Sequence, residues 1–360
     1  MNKTPITYRL FQADEKESFA GQVMKLLGDY RAEGFPVRLV FFDNPADKEE
    51  YHRRLGEIKK EVGKVFADRT PVVSYVAQAP CGGGMIMEVH EWNAAEEMTV
   101  KCNEDYLTVD YSGGKYLFMS VESLSRVDAI LKAERMPVFS LVRQWNYIED
   151  IVGMSQAGHQ NYQDFNDVRT QFYNTTRWAY GYPAATGIGV RQGGVRIDAD
   201  ALVRYDDSVR VYPLDNPLQV PAHAYSQKVL LGAGDKSTPK FERAKAVVYP
   251  QGMMIYVSGT AAIRGEESLA GVGVEKQAVA TLENIAYLIS CRNLTGAGID
   301  AIREPALQYL RVYLKRKEDA ACVKSVLEKA CPGLPVACVV ADVCRDELLI
   351  EMEGVASFHV

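Results

Sequence analysis

The segment PVACVVADVCRDELLIEMEG, residues 335–354, decides the fold class of this chain. Apolar residues dominate 335–343, and apolar and acidic residues alternate towards the end of 348–354. The polar run Arg345-Asp346-Glu347 separates these two stretches. Two short β-type runs joined by a polar turn predict a β-hairpin.

Strands and helices alternate upstream of this hairpin. Residues 246–258 predict two strands that are separated by the turn Pro250-Gln251-Gly252, and residues 309–314 predict another strand. Residues 275–294 carry apolar side chains at helical spacing, and residues 317–330 predict a second helix. The order from residue 246 onward is therefore β-β-α-β-α-β-β, and the fold class is α+β.

The N-terminal part has a general α/β character. Residues 35–42 (FPVRLVFF) predict a strand, and residues 46–66 predict a charged amphipathic helix. The segments 86–90, 107–111 and 116–120 predict strands of one sheet.

The length of 360 residues suggests two domains. Met136-Pro137 begins a new segment, and residues 138–142 predict a strand. We therefore expect an N-terminal α/β domain over 1–135 and a second domain over 136–360. No linker rich in glycine or serine separates them, so we expect the two domains to pack tightly.

The composition excludes several classes of protein. The chain is 47% hydrophobic and 24% charged, which rules out disorder, collagen and coiled coil. A net charge of −6 without a basic run gives no support to nucleic-acid binding. No apolar run approaches the ~20 residues that span a bilayer, and the N-terminal residues lack the apolar core of a signal peptide. We therefore expect a cytoplasmic protein without a nucleic-acid or membrane partner.

The cysteines do not predict a metal site. The chain has seven cysteines but no CxxC pair, and its five histidines are scattered. We expect reduced, buried thiols and no bound metal.

The last predicted strand carries two candidate acids. A period of two places Glu351 and Glu353 on one face and Ile350 and Met352 on the other. Burial would raise the pKa of such a glutamate and make it a general acid near neutral pH. The alternative is a solvated sheet face. Cys344, at the mouth of the hairpin, is placed to lie near Glu351.

Three arginines stand among aromatic residues. Arg143 precedes Trp145, Arg169 lies in a helical segment with phenylalanines, and Arg311 lies between tyrosines. Arginine binds a carboxylate bidentately, so these positions suggest a site for a carboxylate ligand. Taken singly, an arginine of this kind is more often part of a surface ion pair.

Several motifs resemble two related families. Four of them resemble the Rid (YjgF, L-PSP) domain: SGTA at 258–261, LENI at 282–285, RVYL at 311–314 and IEMEG at 350–354. Four others resemble the chorismatases, which have a Rid-like C-terminal domain: RQWNY at 143–147, YQDFNDVR at 162–169, PAATGIG at 183–189 and DNPLQ at 215–219. The resemblance covers roughly residues 140–357. It implies that 136–360 forms a mixed sheet with helices on one face, and that 1–135 is a degenerate Rid-like domain.

The resemblance also implies a reaction. Chorismatases release pyruvate from chorismate, a cyclohexadiene with two carboxylates and an enolpyruvyl ether. Glu351 matches the acid that protonates the enolpyruvyl methylene, and Cys344 matches the cysteine of the members that form 3-hydroxybenzoate. Matching positions expected to hold or line the substrate are Arg169, Arg311, Tyr147, Tyr225 and Gly259. The family needs no cofactor and no metal.

Some positions depart from the family pattern. Asn161 stands where an arginine is expected, Glu266 replaces a histidine, and Ala262 replaces a serine. Losing a cation or gaining a carboxylate near a dianion would cost about 1–2 kcal/mol of binding free energy, or about tenfold in affinity. A changed substrate or a lost activity is therefore an open alternative.

Two further functions compete with the chorismatase interpretation. One is a Rid-type imine or enamine deaminase, but Val336 stands where that family has its carboxylate-binding arginine. The other is a non-catalytic binder of small molecules. Because Rid domains form trimers with sites between subunits, we expect either a homotrimer or a monomer whose N-terminal half replaces a neighbouring subunit.

Overall fold

The computed structural model describes residues 5–93, 97–156, 158–230, 236–301 and 303–359, without the side chains of Asp68 and His359. These residues form three main β-sheets, each of which is covered by helices on one face. Within the described part, no helix combines the length and the apolar character that crossing a membrane requires. The predicted α+β class is confirmed.

The first sheet has four strands. Its elements are β1 (Ile6–Gln12), α1 (Phe19–Asp29), β2 (Phe35–Asp43), α2 (Lys48–Phe66), β3 (Val72–Ala77) and β4 (Ile86–Trp92). The strand order is β1-β4-β2-β3, with β2 and β3 parallel. Helix α2 begins where the Asp47 carboxylate accepts a hydrogen bond from the Glu50 amide at 2.8 Å, a favourable N-cap.

The second sheet has six strands. Its elements are β5 (Thr99–Cys102), β6 (Tyr106–Tyr111), β7 (Gly114–Val121), α3 (Leu124–Ala133), β8 (Leu141–Glu149), α4 (Asn161–Tyr173), β9 (Ala184–Val190) and β10 (Val195–Arg204). The order is β5-β6-β7-β10-β8-β9, and β8 and β9 are parallel.

The third sheet repeats the same arrangement. Its elements are β11 (Arg210–Leu214), β12 (Ala244–Tyr249), β13 (Gly252–Ala261), the small hairpin β14 (Ile263–Arg264) and β15 (Glu267–Ser268), α5 (Val274–Leu288), α6 (Cys291–Gly296), β16 (Ala306–Leu314), α7 (Ala320–Ala330), β17 (Val336–Val340) and β18 (Ile350–His359). The order is β11-β12-β13-β18-β16-β17, with β16 and β17 parallel. The predicted β-β-α-β-α-β-β order is confirmed, with α6 and the small hairpin added.

The second and third sheets share one topology, and the first sheet repeats the last four strands of it. Strands β10 and β18 hold the same place in the second and third sheets, and β4 holds it in the smaller first sheet. The inner faces of all three sheets meet in a common core that includes Phe42, Phe118, Trp145, Tyr256 and Tyr313. The helices cover the outer faces and form a separate apolar core with each sheet.

Strand pairing corrects three local expectations. Strands β17 and β18 do not form the expected hairpin, because β16 lies between them. Strand β4 belongs to the first sheet and β6 and β7 to the second, so the single sheet expected for residues 86–120 is wrong. The strand expected over 138–142 begins with the 3-10 turn Val138–Ser140, and β8 starts only at Leu141.

The expected boundary at residues 135 and 136 falls inside the second sheet. Strand β7 pairs with β10 from Gly114↔Arg204 to Val121↔Ile197, which joins the two expected domains in one sheet. We therefore propose three structural units, one for each sheet, in place of the division into 1–135 and 136–360.

A ring of ion pairs joins the three units. Each unit has an arginine at the equivalent position of its sheet. Arg38 pairs with His90 on the neighbouring strand, Arg143 with Asp200, and Arg311 with Glu353. Each arginine binds a carboxylate of another unit, in the pairs Arg38–Asp200, Arg143–Glu353 and Arg311–Glu88. All six side chains are at least 98% buried. Removing one partner would leave an uncompensated buried charge.

We predict that Arg38→Ala lowers the free energy of unfolding by about 3–5 kcal/mol. Arg38 donates to Asp200 at 2.7 Å and to the carbonyl oxygens of Met119 and Ala199 at 3.0 and 2.9 Å. Urea unfolding followed by circular dichroism measures the change. The exposed Arg53→Ala is the control and should cost no more than about 0.5 kcal/mol. Similar losses in both variants would contradict a structural role of the ring.

Candidate active site

A pocket lies between the second and third units. Helix α4 and strand β9 form one wall, and strands β13 and β18 form the other. Its lining includes Tyr162, Gln163, Asn166, Ala185, Gly187, Tyr225, Arg243, Gly259, Ala261, Cys344, Arg345 and Glu351. Of the positions predicted from the sequence, Glu351, Cys344, Tyr225 and Gly259 are brought together here.

Glu351 is the acid of this pocket. It lies on β18 opposite Ala261 and Tyr313, and its exposure is 5%. Burial raises the pKa of Glu351 to about 8, with a further contribution from the negative charge of Glu353. The solvated sheet face considered as an alternative is wrong, because Glu353 is buried as well. At neutral pH the carboxyl group of Glu351 therefore holds a proton that it can donate.

Glu353 differs from Glu351 in its partners. It accepts hydrogen bonds from Trp145 Nε1 at 2.8 Å, from the Tyr313 hydroxyl at 2.7 Å and from Arg311 Nη1 at 3.1 Å, and it also binds Arg143. Two carboxylates two residues apart on one strand thus have separate tasks. Glu353 holds the arginines of the ring, whereas Glu351 faces the pocket.

Gly259 allows the close approach of Glu351. A Cβ atom built at Gly259 would collide with Oε1 of Glu351 and lie 3.0 Å from Cγ2 of Thr186. The amide of Gly259 donates to the Thr186 hydroxyl at 3.0 Å, which fixes this part of β13 against β9. Any larger residue at position 259 would displace the acid.

Cys344 lies in the segment between β17 and β18 and lines the same pocket. Burial raises the pKa of its thiol to about 12, and the charge of Glu351 adds to the effect. The sulfur is therefore a neutral thiol at physiological pH and a weak nucleophile.

The pocket holds cations that have no carboxylate partner. Arg243 is 4% exposed and donates to the Tyr225 hydroxyl at 2.7 Å and to the Val220 carbonyl oxygen at 2.5 Å. Arg345 donates to the Glu266 carbonyl oxygen and to the Ser268 hydroxyl, both at 3.0 Å. Among the described residues, the hydrogen-bond acceptors of these two guanidinium groups are carbonyl and hydroxyl oxygens, and none is a carboxylate. Their charges are available to an anion.

Arg169 lies just behind the pocket wall. It is 1% exposed and donates to Oδ1 of the lining residue Asn166 at 2.5 Å, and its Nε atom has no hydrogen-bond partner in the part of the chain that the structure describes. It adds positive charge near the pocket without lining it.

Two predicted binding residues lie elsewhere. Arg311 does not line the pocket, because Glu88 and Glu353 engage its guanidinium in the ring. The Tyr147 hydroxyl accepts a hydrogen bond from Arg311 at 2.7 Å and is likewise absent from the lining. Arg311 thus belongs to the ring of ion pairs, and Tyr147 is hydrogen-bonded to it.

The sequence patterns did not single out the lining residues Arg243, Tyr162 and Asn166. Arg243 directly precedes β12 and follows Phe241, so the aromatic neighbourhood that singled out the other arginines was present there too. Tyr162 and Asn166 fall within the motif at 162–169, where a spacing of four residues places them on one face of a helix.

The departures from the family pattern lie away from the acid. The side chain of Asn161 donates to the Asp150 carbonyl oxygen at 2.9 Å and does not line the pocket. The carboxylate of Glu266 accepts from the amide and hydroxyl of Ser226 at 2.8 and 2.7 Å. Ser226 follows the lining residue Tyr225, so Glu266 supports the pocket wall. Ala262 is buried and does not line the pocket.

Two clusters have the residue types of a metal site. They are His159 with Asp164 and Asp167, and Asp215 with His223 and Glu242, and the ligand atoms within each lie within 4.8 Å of one another. Neither cluster lines the pocket.

Comparisons with known proteins find similarity to chorismatases. Residues 91–200 match the family model "Chorismatase FkbO/Hyg5-like, N-terminal". A 3-hydroxybenzoate synthase of Streptomyces hygroscopicus is 36% identical over 225 residues, or 60% of this chain and 63% of that protein. A chorismatase of Streptomyces rapamycinicus is 33% identical over 227 residues, or 61% of this chain and 64% of that protein. The aligned part thus spans less than two thirds of either relative.

A solved structure matches nearly the whole chain. The crystal structure of a chorismatase superposes with a TM-score of 0.76 at 22% identity and covers 99% of both chains. The fold is therefore the three-sheet α+β fold of a chorismatase. The chain is thus similar in sequence to a 3-hydroxybenzoate synthase and a chorismatase over about 60% of its length, and similar in fold to a chorismatase over nearly all of it.

The raised pKa of Glu351 predicts a pH-dependent stability. The unfolded chain releases this proton near pH 4.5, whereas the folded chain keeps it until about pH 8. The free energy of unfolding therefore falls as the pH rises from about 4.5 to 8, by at most about 5 kcal/mol from this group. We expect Glu351→Gln to lack this decline in urea unfolding at pH 5 and pH 8.5. Glu318→Gln, at an exposed position, should keep the wild-type profile, and a wild-type profile in Glu351→Gln would refute the assignment.

Proposed function

We propose that the protein converts chorismate to 3-hydroxybenzoate and pyruvate. Its two most informative relatives are named 3-hydroxybenzoate synthase and chorismatase. The observation that carries the proposal is Glu351, a buried carboxylic acid that is neutral at physiological pH and faces a pocket with unpaired arginines.

The charge of the pocket suits a dicarboxylate. Arg243 and Arg345 line it without carboxylate partners, and Arg169 lies behind Asn166. With Glu351 protonated, the lining presents more positive than negative charge. A planar guanidinium can bind a substrate carboxylate through two parallel hydrogen bonds, so two such groups would orient a dianion.

The position of the acid suits protonation of an enol ether. Glu351 would give its proton to the terminal methylene carbon of the enolpyruvyl group, which produces an oxocarbenium ion at the ether carbon. The carboxylate left on Glu351 would then stabilise that cation at short range. The neighbouring ring hydroxyl would then attack the ring carbon that bears the ether oxygen; that C–O bond breaks and releases pyruvate, and the hydroxyl proton returns to Glu351. The resulting epoxide opens at the carbon that first carried the hydroxyl, and loss of the proton from the neighbouring ring carbon gives 3-hydroxybenzoate. Chorismate supplies every atom of 3-hydroxybenzoate and pyruvate, so this route consumes no net water.

Cys344 supports the aromatic product in this proposal. Its thiol is neutral, so it does not act as a thiolate nucleophile. A weakly hydrogen-bonding sulfur beside the acid leaves a poor place for an ordered water. Excluding water there would favour reaction within the ring over hydrolysis to a dihydroxycyclohexadiene carboxylate.

One chain supplies both walls of the proposed site. The second unit contributes α4 and β9, and the third contributes β13 and β18. We therefore propose that a single chain is catalytically complete and that a homotrimer is not needed to form the site.

Purified protein incubated with chorismate should release pyruvate and 3-hydroxybenzoate in equal amounts. We expect Glu351→Gln, checked for folding by circular dichroism, to lose about 10²–10⁴-fold in rate, because it cannot donate the proton. The wild-type rate should fall as the pH rises above about 8, where Glu351 loses its proton. Coupled pyruvate detection and chromatography of the organic products measure both.

The alternative outcomes separate the competing functions. Pyruvate with a non-aromatic diene would overturn the proposed product. No turnover, in a buffer where another chorismatase is active, would overturn the chorismate proposal. Ammonia release from a 2-imino acid in that case would support a Rid-type deaminase, and its absence would support a non-catalytic binder.

We predict that Arg243→Met raises the KM for chorismate about tenfold or more, with a smaller change in kcat. This substitution removes the charged hydrogen bonds to a substrate carboxylate while keeping much of the side-chain volume. Arg243→Lys should restore part of the affinity, and Arg292→Met, at an exposed position, should leave the KM unchanged. An unchanged KM in Arg243→Met would show that this guanidinium does not bind the substrate.

A further inference from the structure

A second pocket occupies the equivalent position between the third and first units. Helix α7 and strand β17 form one wall, in the places that α4 and β9 hold at the proposed active site. Residues of the first unit form the other wall. They occupy the positions that β13, β18 and the segment before β18 occupy at the proposed active site. The lining differs in chemistry, because it carries three cysteines, Cys81, Cys331 and Cys338.

Cys81 and Cys338 face each other across a short antiparallel pairing. Pro80 and Val339 form a β-bridge, the Cys81 amide donates to the Cys338 carbonyl oxygen at 2.9 Å, and the Val340 amide donates to the Ala79 carbonyl oxygen at 2.8 Å. Residues opposite each other at a hydrogen-bonded position have Cα atoms about 5.5 Å apart, which is within the range that a disulfide spans.

The two thiols already interact in the reduced protein. The neighbouring Cys338 thiol lowers the pKa of Cys81, with a smaller contribution from the positive charge of Lys317. The neighbouring Cys81 and burial raise the pKa of Cys338. Cys81 is therefore the better nucleophile and Cys338 the partner that remains protonated. Both side chains are partly exposed and line the pocket, so a small reagent can reach them.

We propose that Cys81 and Cys338 form an oxidisable dithiol site that reacts with small-molecule disulfides such as oxidised glutathione. The Cys81 thiolate attacks one sulfur of the reagent, whose S–S bond breaks and releases one thiol. The Cys338 thiol then loses its proton and attacks the Cys81 sulfur, which releases the second thiol. The two protein thiols are oxidised to one disulfide, and the reagent disulfide is reduced to two thiols.

The resulting disulfide would join two units of the fold. Cys81 lies in the segment before β4 of the first unit, and Cys338 lies on β17 at the edge of the third sheet. The cross-link would therefore close the second pocket on the side where the two units meet. This inference does not depend on the proposed reaction with chorismate.

The test uses the full-length reduced protein and excess oxidised glutathione. We expect the loss of two of the seven titratable thiols and a linked peptide that contains Cys81 and Cys338. Dithiothreitol should restore both thiols. Mass mapping after alkylation of the remaining cysteines identifies the pair.

Single variants separate the two roles. Cys338→Ser should stop at a stable glutathione adduct on Cys81, whereas Cys81→Ser should lose both the adduct and the disulfide. Cys331→Ser, in the same pocket, and Cys291→Ser, outside it, are the controls and should behave as wild type. A disulfide between Cys331 and Cys338, or an unchanged count of seven thiols under conditions that oxidise free cysteine, would overturn the proposal.

Discussion

The structure depends on three buried arginines that each bind a carboxylate of another unit. Arg38, Arg143 and Arg311 occupy the equivalent position in three sheets that share a four-strand topology, and their pairs close into a ring. Apolar packing between the inner faces provides area but little directional preference. A buried charge requires its own partner, so the ring fixes how the three sheets are arranged around their common core.

The ring also determines which glutamate can act as an acid. Glu88 and Glu351 hold the same place on β4 and β18, two residues before the position that faces the arginine. Burial alone would raise the pKa of both. At Glu88 the guanidinium of Arg311 and the ring of His90 outweigh burial and hold the pKa well below its ordinary value. At Glu351 the arginines are bound to Glu353, so burial prevails and the group stays protonated.

The sequence was sufficient for the features that depend on local pattern. Period-two alternation singled out Glu351 and Glu353 together. Motif resemblance selected Glu351 and led to Cys344, Gly259 and Tyr225, and these four positions line one pocket. The sequence was insufficient where a residue's role depends on a distant partner. Arg311 resembled a residue that binds a substrate carboxylate, but its guanidinium is engaged by Glu353 and by Glu88, which lies 223 positions away. The expected hairpin failed for the same reason, because a distant strand, β16, inserts between β17 and β18.

Joining three equivalent units in one chain allows their interfaces to diverge. In a symmetric homotrimer a substitution changes all three interfaces at once, so an acid that is costly to bury would be buried three times. Here each interface has its own residues. Glu351 is kept neutral between the second and third units, and Arg311 neutralises Glu88 between the third and first. The chain can therefore bear the energetic cost of burying Glu351 without a partner at one interface, while Glu88, at the equivalent position of the first unit, pairs with Arg311 in the ring.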